Sequence, residues 1–262
     1  MKTTKPVDDK EGKYDIKAVV RCLSIIDLAV EQPKPLSLHD VCNKLDINNN
    51  MAFRMLSTLV SSGYMTKDPQ TETYSISLKS LKLSRKALLS MDIRKIAMPS
   101  LELLWSQYPL ANGNLGVIYE DEIITIDRID SQSIPRTYFT PGKAIPFYCT
   151  GLGKVLTCMK TDEEILDMLK RNPPRAYTKN TITDPESILR ELHKVREEGI
   201  GRDREEFVED DNCIAAPVKD SKGRTIAAIS LSALTTNLTA AELESAIPKL
   251  KETVASISSF LS

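Results

Sequence analysis

Between Ile16 and Ser77, three helical periodicities and two short β-prone runs follow one another with almost no loop between them, and few folds accommodate that order. Ile16, Val19, Val20, Leu23, Ile26, Leu28 and Ala29 recur at a three-to-four-residue apolar spacing that Pro33-Lys34-Pro35 interrupts, which predicts one amphipathic helix. A second, short helix over 38–45 follows Ser37, whose hydroxyl can cap its free amides, with Asp40 placed to meet the helix dipole. After a turn at Asp46-Ile47-Asn48, a third helix runs from about Asn49 to Ser62, with Ala52, Met55, Leu56 and Leu59 on its inner face and Gly63 ending it. That succession is a helix-turn-helix pattern. Tyr64–Lys67 and Thr73–Ser77, joined by the turn-forming 68–72, predict a hairpin that would be its wing.

The rest of the chain reads differently. Helices are expected over 78–89 and from an Asp92 cap to about Tyr108, bent or broken near Pro99. Strands are expected at 114–120, 122–130, 134–140, 212–219 and 225–233, and helices at 151–159, 162–171, 184–198 and 239–261. Thr183 with Glu186 and Thr239 with Glu242 have capping-box spacing. Strands that pair as hairpins, with helices gathered beside them, predict an α+β domain on an antiparallel sheet. The expected organisation is a loose arm over 1–15, an all-α reading head with a β-wing over 16–78, linker or dimerisation helices over 79–108, and a sensor domain over 109–262.

Composition enters by exclusion. Residues 1–90 carry 14 Lys and Arg against 10 Asp and Glu, a net of +4, while 91–262 carry 21 against 26, a net of −5. The basic excess lies where a phosphate-contacting head would sit, although +4 also suits an ordinary solvated surface. Five cysteines, odd in number, widely spaced and set in apolar runs, predict reduced buried thiols and a cytoplasmic setting. Met1–Asp15 has no apolar stretch and no segment is apolar enough to cross a bilayer, so neither a leader nor a membrane partner is expected. His39 and His193 are the only histidines, without a second ligand at i+3 or i+4, so no metal site and no catalytic triad is expected. Gly151-Leu152-Gly153-Lys154 lacks the spacing and the Ser or Thr of a phosphate-binding loop. No catalytic residue and no cofactor is assigned.

On the third helix, Asn49, Asn50, Met51, Phe53, Arg54 and Ser57 fall outward or at its N-terminal edge. Asn pairs bidentately with adenine, Arg reaches guanine or phosphate, and Met51 suits a thymine methyl, with Lys67 of the wing adding a charge. The plainer reading, that the Asn run makes a turn and a cap, holds for at least one of the three.

Residues 16–78 resemble the winged helix-turn-helix of the IclR family of bacterial transcriptional regulators in Leu-Ser-Leu-His-Asp-Val (36–41), Phe-Arg-Met-Leu-Ser-Thr-Leu (53–59), Ser-Gly-Tyr (62–64) and Tyr-Ser-Ile (74–76). Asp127-Arg128-Ile129, Gly151-Leu152-Gly153-Lys154, Thr181-Ile182-Thr183-Asp184 and Cys213-Ile214-Ala215-Ala216-Pro217-Val218 resemble that family's effector domain, a GAF-like fold. The chain departs from the family at Asn50-Met51, where Ser-Thr is common. The resemblance implies an effector site at Gly151, Leu152, Asp203, Cys213, Ser230 and Ser232. Taken alone, Asp203 reads as a solvated loop acid, Cys213 as a small core residue, and Ser230 and Ser232, two apart on one strand face, as hydroxyls satisfied by backbone or by a polar ligand. A helix opening at Gly151 offers free amides to a carboxylate. The implied partners are a double-stranded palindromic DNA operator, a small carboxylate effector (a sugar acid or short 2-oxo acid, with aromatic acids also open), and the chain itself as a homodimer or dimer of dimers. A metabolite-binding protein without DNA and an architectural DNA-binder without an effector remain open on the residues alone.

Overall fold

The computed structural model describes residues 14–133 and 140–261. It separates into two compact units, Met1–Ala87 and Leu88–Ser262.

In the first unit, α1 (Lys17–Glu31), α2 (Leu38–Leu45) and α3 (Asn49–Ser61) precede a hairpin of β1 (Met65–Lys67) and β2 (Tyr74–Ile76), and α4 (Lys79–Ser90) begins after it. Local chemistry sets the boundaries. Pro33 and Pro35 cannot continue α1 and leave Leu36 extended, so it exchanges backbone hydrogen bonds of 2.9 and 2.7 Å with Tyr74, adding a third rung to the wing. Ser37 and Asp40 form a reciprocal capping box, the Ser37 hydroxyl accepting from the Asp40 amide at 3.1 Å and the Asp40 carboxylate from the Ser37 amide at 2.8 Å. Asp46, at φ +49°, ends α2 in the left-handed region and turns the chain into α3. Asn48 is the residue of the Asn run that caps, its Oδ1 accepting from the Met51 amide at 2.9 Å. Ile25, Leu28, Val41, Leu56, Leu59 and Met65 close the core. The helix α4 buries none of its residues.

The second unit is built on a six-stranded antiparallel sheet in the order β5-β4-β3-β8-β7-β6. Its elements are α5 (Asp92–Gln107), β3 (Asn112–Tyr119), β4 (Glu122–Ile129), β5 (Ala144–Ile145), α6 (Gly151–Thr157), α7 (Asp162–Arg171), α8 (Pro185–Glu198), β6 (Gly201–Arg204), β7 (Asp211–Lys219), β8 (Thr225–Leu234), α9 (Ala240–Ser245) and α10 (Ile247–Ser259). One face is covered by α5 and α10, which bury Leu101, Leu104, Leu250 and Ile257 against Ile214, Ile229 and Leu231. On the other face, α6 sets Leu152 and Val155 against Ala215 and Ala228, with Ile165 and Ile188 of α7 and α8 in the same cluster.

Five expectations need correction. The α8 cap is Asp184, accepting from the Ser187 amide at 2.8 Å, because Pro185 at the first helical position holds the residue before it extended, which is the cap conformation. Met91 occupies the cap of α5 without a side-chain bond and Asp92 is already helical, while the helix runs through Pro99 unbroken. The single helix over 239–261 is two, α9 and α10, parted at Ala246 because Pro248 lacks the amide and the clearance to extend α9. Cys22 and Cys42 are half-buried, whereas Cys149, Cys158 and Cys213 are buried, and all five are free thiols. The strands β5 and β6 were not expected. The expected strand at 134–140 lies outside the described residues except for Thr140, which belongs to no strand. The Thr239–Glu242 box forms as its spacing predicts.

Candidate functional site

Asn49, Asn50, Phe53, Arg54 and Ser57 all lie on the exposed side of α3. Phe53 is 52% exposed, a large aromatic turned away from a core that has room for Ala52, Met55 and Leu56 instead. Arg54 makes no side-chain hydrogen bond or ion pair among the described residues. Asn49 Oδ1 accepts from the Cys42 thiol at 3.1 Å, which ties the start of α3 to α2. Met51 is not outward: it is half-buried against the core, and its sulfur accepts from Arg21 Nη1 at 3.1 Å. Arg21 thus stands beside the N-terminal end of α3, a neighbour that only the packing of α1 reveals. Lys67 pairs with Glu72 across the wing, and that hydrogen bond raises its pKa.

The effector candidates fall on one face of the sheet, and strand register shows why. Asp203 pairs with Cys213, Cys213 with Ser232 and Ser232 with Asn112, making one row across β6, β7, β8 and β3. Two residues along, Gly201, Ala215, Ser230, Asn114 and Arg128 make the next row, reaching β4. Side chains two apart share a face, and Ala215 packs under α6, so both polar rows lie on the α6 side. Gly151 stands directly on them: a Cβ there would lie 3.0 Å from Cys213 Sγ and 3.3 Å from Ala215 Cβ. At Gly153 a Cβ would come within 2.4 Å of Phe147 Cα, so glycine permits α6 to seat against the incoming loop. Thr150 caps α6 by accepting from the Gly153 amide at 3.2 Å.

Asp203 is not a solvated loop acid. It is 2% exposed, and its Oδ1 accepts from the Glu206 and Phe207 amides at 2.7 and 3.3 Å, a turn that Glu205 makes at φ +58°. Burial pushes its carboxyl well above the usual carboxylate range. The loop is held from two sides. Thr178 and Thr181 donate to the Glu205 and Glu206 carbonyls, each at 2.6 Å. Lys154, wholly buried, donates to Glu206 at 2.6 Å, the Arg202 carbonyl at 2.7 Å and Glu191 at 3.3 Å. Burial also raises the thiols of Cys149 and Cys213, so both are neutral and neither is an activated nucleophile. Among the described residues no group of three His, Cys, Asp or Glu side chains could hold a metal ion.

The serines differ. Ser230 accepts from Asn114 Nδ2 at 3.1 Å. Ser232 is 1% exposed, and its backbone carbonyl accepts from Asn112 Nδ2 at 3.3 Å. Asn112, Asn114, Arg128 and Lys154 share this face or support it and were not among the expected site residues. The one available signal was a pair of Asn residues inside a strand.

The comparisons with known proteins follow the same division. Residues 18–69 match the model of the IclR helix-turn-helix domain, and residues 85–259 match that of the bacterial transcriptional regulator IclR C-terminal region. The chain is 31% identical over 217 residues to the HTH-type transcriptional regulator KdgR of Escherichia coli K12, covering 83% of this chain and 82% of that protein. A transcriptional regulator of Rhodococcus sp. RHA1 has a similar structure, with TM-score 0.77 and 25% identity over 94% of this chain and 98% of that one. An IclR homolog from Microbacterium hydrocarbonoxydans, solved with 4-hydroxybenzoate, shares the fold with TM-score 0.74 at 18% identity over 93% of this chain and 98% of that one.

Proposed function

The chain belongs to the IclR family of bacterial transcriptional regulators, and from that premise we propose that it is a cytoplasmic, effector-controlled regulator of a palindromic operator serving a catabolic operon. The reading head would be the segment 16–78, entering the major groove with Asn49, Asn50, Phe53, Arg54 and Ser57 of α3 and placing Lys67 against a phosphate. Residues 109–262 would form the sensor, with Gly151, Leu152, Asp203, Cys213, Ser230 and Ser232 around a small organic acid. Sugar acids and short 2-oxo acids are the preferred class, because the site combines helix-start amides with hydroxyl donors and one buried acid. The observation that carries this reading is the register of the sheet: Asp203, Cys213 and Ser232, all buried, lie in one row on the face beneath α6. The bound 4-hydroxybenzoate of the Microbacterium relative places aromatic acids in the test.

Homodimerisation is proposed from two unpartnered apolar stripes. Leu78, Leu81, Leu83 and Leu89 on or beside α4 and Ile16, Val19, Leu23 and Val30 on or beside α1 are all exposed. A two-fold pair of heads matches a palindrome. Effector control then requires the acid to bind the DNA-competent and incompetent arrangements with unequal affinity, conveyed through 79–108.

Two measurements test this. Thermal-shift screening with gluconate, xylonate, pyruvate, glyoxylate and 4-hydroxybenzoate should show an acid that stabilises the wild type and not Asp203→Ala; no stabilisation by any of them rejects the sensor. In gel shifts on operator DNA from the chain's own promoter, Arg54→Ala should weaken binding by about tenfold or more, and undiminished binding rejects α3 as the reading helix.

A further inference from the structure

Arg128, Asn114 and Ser230 occupy one cross-strand row, and their hydrogen bonds run in one direction. Arg128 Nη1 donates to Asn114 Oδ1 at 3.4 Å, and Asn114 Nδ2 donates to Ser230 Oγ at 3.1 Å. The oxygen and nitrogen of an asparagine amide are ordinarily interchangeable, but here chemistry decides between them. A guanidinium has five donors, no acceptor and no accessible neutral form, so the amide atom facing Arg128 must be the oxygen. The nitrogen is therefore turned to Ser230, whose oxygen accepts, and the serine proton must point elsewhere. The Cys213 sulfur, a weak acceptor that also faces the Gly151 amide, lies within reach of that proton.

We infer that Arg128 and Asn114 are positioning residues that fix Ser230 as a hydrogen-bond donor, so that the site selects a ligand presenting oxygen acceptors to Ser230 and Ser232. This rests on the effector reading above and deepens it. Arg128 supplies the polarity from within the fold, its side chain 6% exposed and its Nε on Asp130 at 2.5 Å. Asn114, 1% exposed, transmits it. Ser230 and Ser232, on one face of β8 and roughly 7 Å apart, then offer two protons to one ligand edge, as the carboxylate and adjacent oxygen of a 2-oxo or 2-hydroxy acid require. A ligand offering donors there would meet two protons and be rejected.

The test inverts the polarity with almost no change of shape. In Asn114→Asp the introduced carboxylate accepts from Arg128 and from Ser230 alike, so the Ser230 proton turns away from the ligand. Calorimetric titration of the full chain with pyruvate, glyoxylate, gluconate, xylonate and 4-hydroxybenzoate should show every acid that binds the wild type binding this variant about tenfold or more weakly. In a Ser230→Ala background the same substitution should change affinity by less than about twofold, because the relay then has nothing to orient. Should Asn114→Asp not fold, Arg128→Met frees the Asn114 amide to rotate and should weaken binding, while Arg128→Lys, also a donor only, restores it. An acid that binds the wild type and Asn114→Asp equally, or an Asn114→Asp loss that persists undiminished without the Ser230 hydroxyl, overturns the relay and leaves the sensor reading standing. If none of the acids binds the wild type, the sensor reading falls and the relay falls with it.

Discussion

Lys154 has no exposed surface, and replacing it with methionine isolates the work of its charge. Methionine keeps the length and the apolar stem and removes only the ammonium with its three donors. What remains is a Glu206 carboxylate, 5% exposed, whose Oε2 has no hydrogen-bond partner among the described residues. Removing one member of a buried ion pair costs about 3–5 kcal/mol, because the other charge is left in a medium that cannot solvate it. For a body of this size each kcal/mol moves the melting temperature by about 2–4 °C, so Lys154→Met should lower it by about 6–20 °C. The double variant Lys154→Met with Glu206→Met removes both charges and should recover most of the loss. Acidity separates this cause from a mere packing defect. Burial pushes the Glu206 carboxyl above its ordinary range, and the attraction of Lys154 opposes that rise. Without the ammonium the folded-state pKa climbs further, so the variant loses stability as pH rises from the unfolded carboxyl range through that higher value. Its deficit against the wild type should therefore be wide near about pH 8 and narrow toward about pH 5, as read by scanning calorimetry of the full chain. A deficit below about 1 kcal/mol, or one equal at both pH values and unrepaired in the double variant, refutes the reasoning.

Two further outcomes follow from the same face of the sheet. Gly153→Ala would place a Cβ 2.4 Å from Phe147 Cα, a backbone atom that cannot step aside, so α6 must shift; a loss of about 1–3 kcal/mol in denaturant unfolding, together with weakened acid binding, is expected, and an unchanged midpoint counts against the close approach. Asp203 has a raised folded-state pKa from burial, so the wild type should lose stability as pH climbs above about 4, and Asp203→Asn, which keeps the acceptor for the Glu206 amide, should lose less over that window; parallel melting curves would show that the carboxyl is not the titrating group.

The reading head was legible because its signals are local. Ser37 with Asp40, Asn48 three residues before the amide it caps, and two prolines before Leu36 each act within a few residues, so sequence order is enough to interpret them. The failures in the second unit have equally local causes, since Pro185 and Pro248 outrank the neighbouring capping signals by fixing a dihedral angle rather than offering one hydrogen bond. The strand β6 was unreadable for a different reason. Its inward positions are Gly201 and Asp203 and its outward ones Arg202 and Arg204, so no apolar alternation marks it and Asp203 resembles a loop acid until β7 covers it. The shared face of Ser230 and Ser232 follows from strand periodicity alone. That Asn114 lies opposite Ser230, 116 residues away, does not, because register between distant strands is set by the whole sheet.

That division bears on how a regulator of this kind could change its ligand while keeping its fold. The apolar side of the sheet, under α5 and α10, is continuous and tolerates little beyond exchanges of like volume. On the α6 side, charge is already balanced within the fold: Lys154 is matched by Glu206 and Glu191, and Arg128 by Asp130. The groups that would meet the proposed effector are uncharged or nearly so, namely two serines, a thiol that burial keeps from ionising and an acid whose burial favours its protonated form. Hydrogen bonding between neutral groups discriminates by direction as well as by strength, and a site that presents protons rejects a donor because the resulting orphan cannot be rehydrated. Specificity in such a site can therefore be rewritten by reversing one hydrogen bond behind the ligand. The supporting residues, Asn114 above all, are accordingly where relatives sharing this fold and answering different acids should diverge.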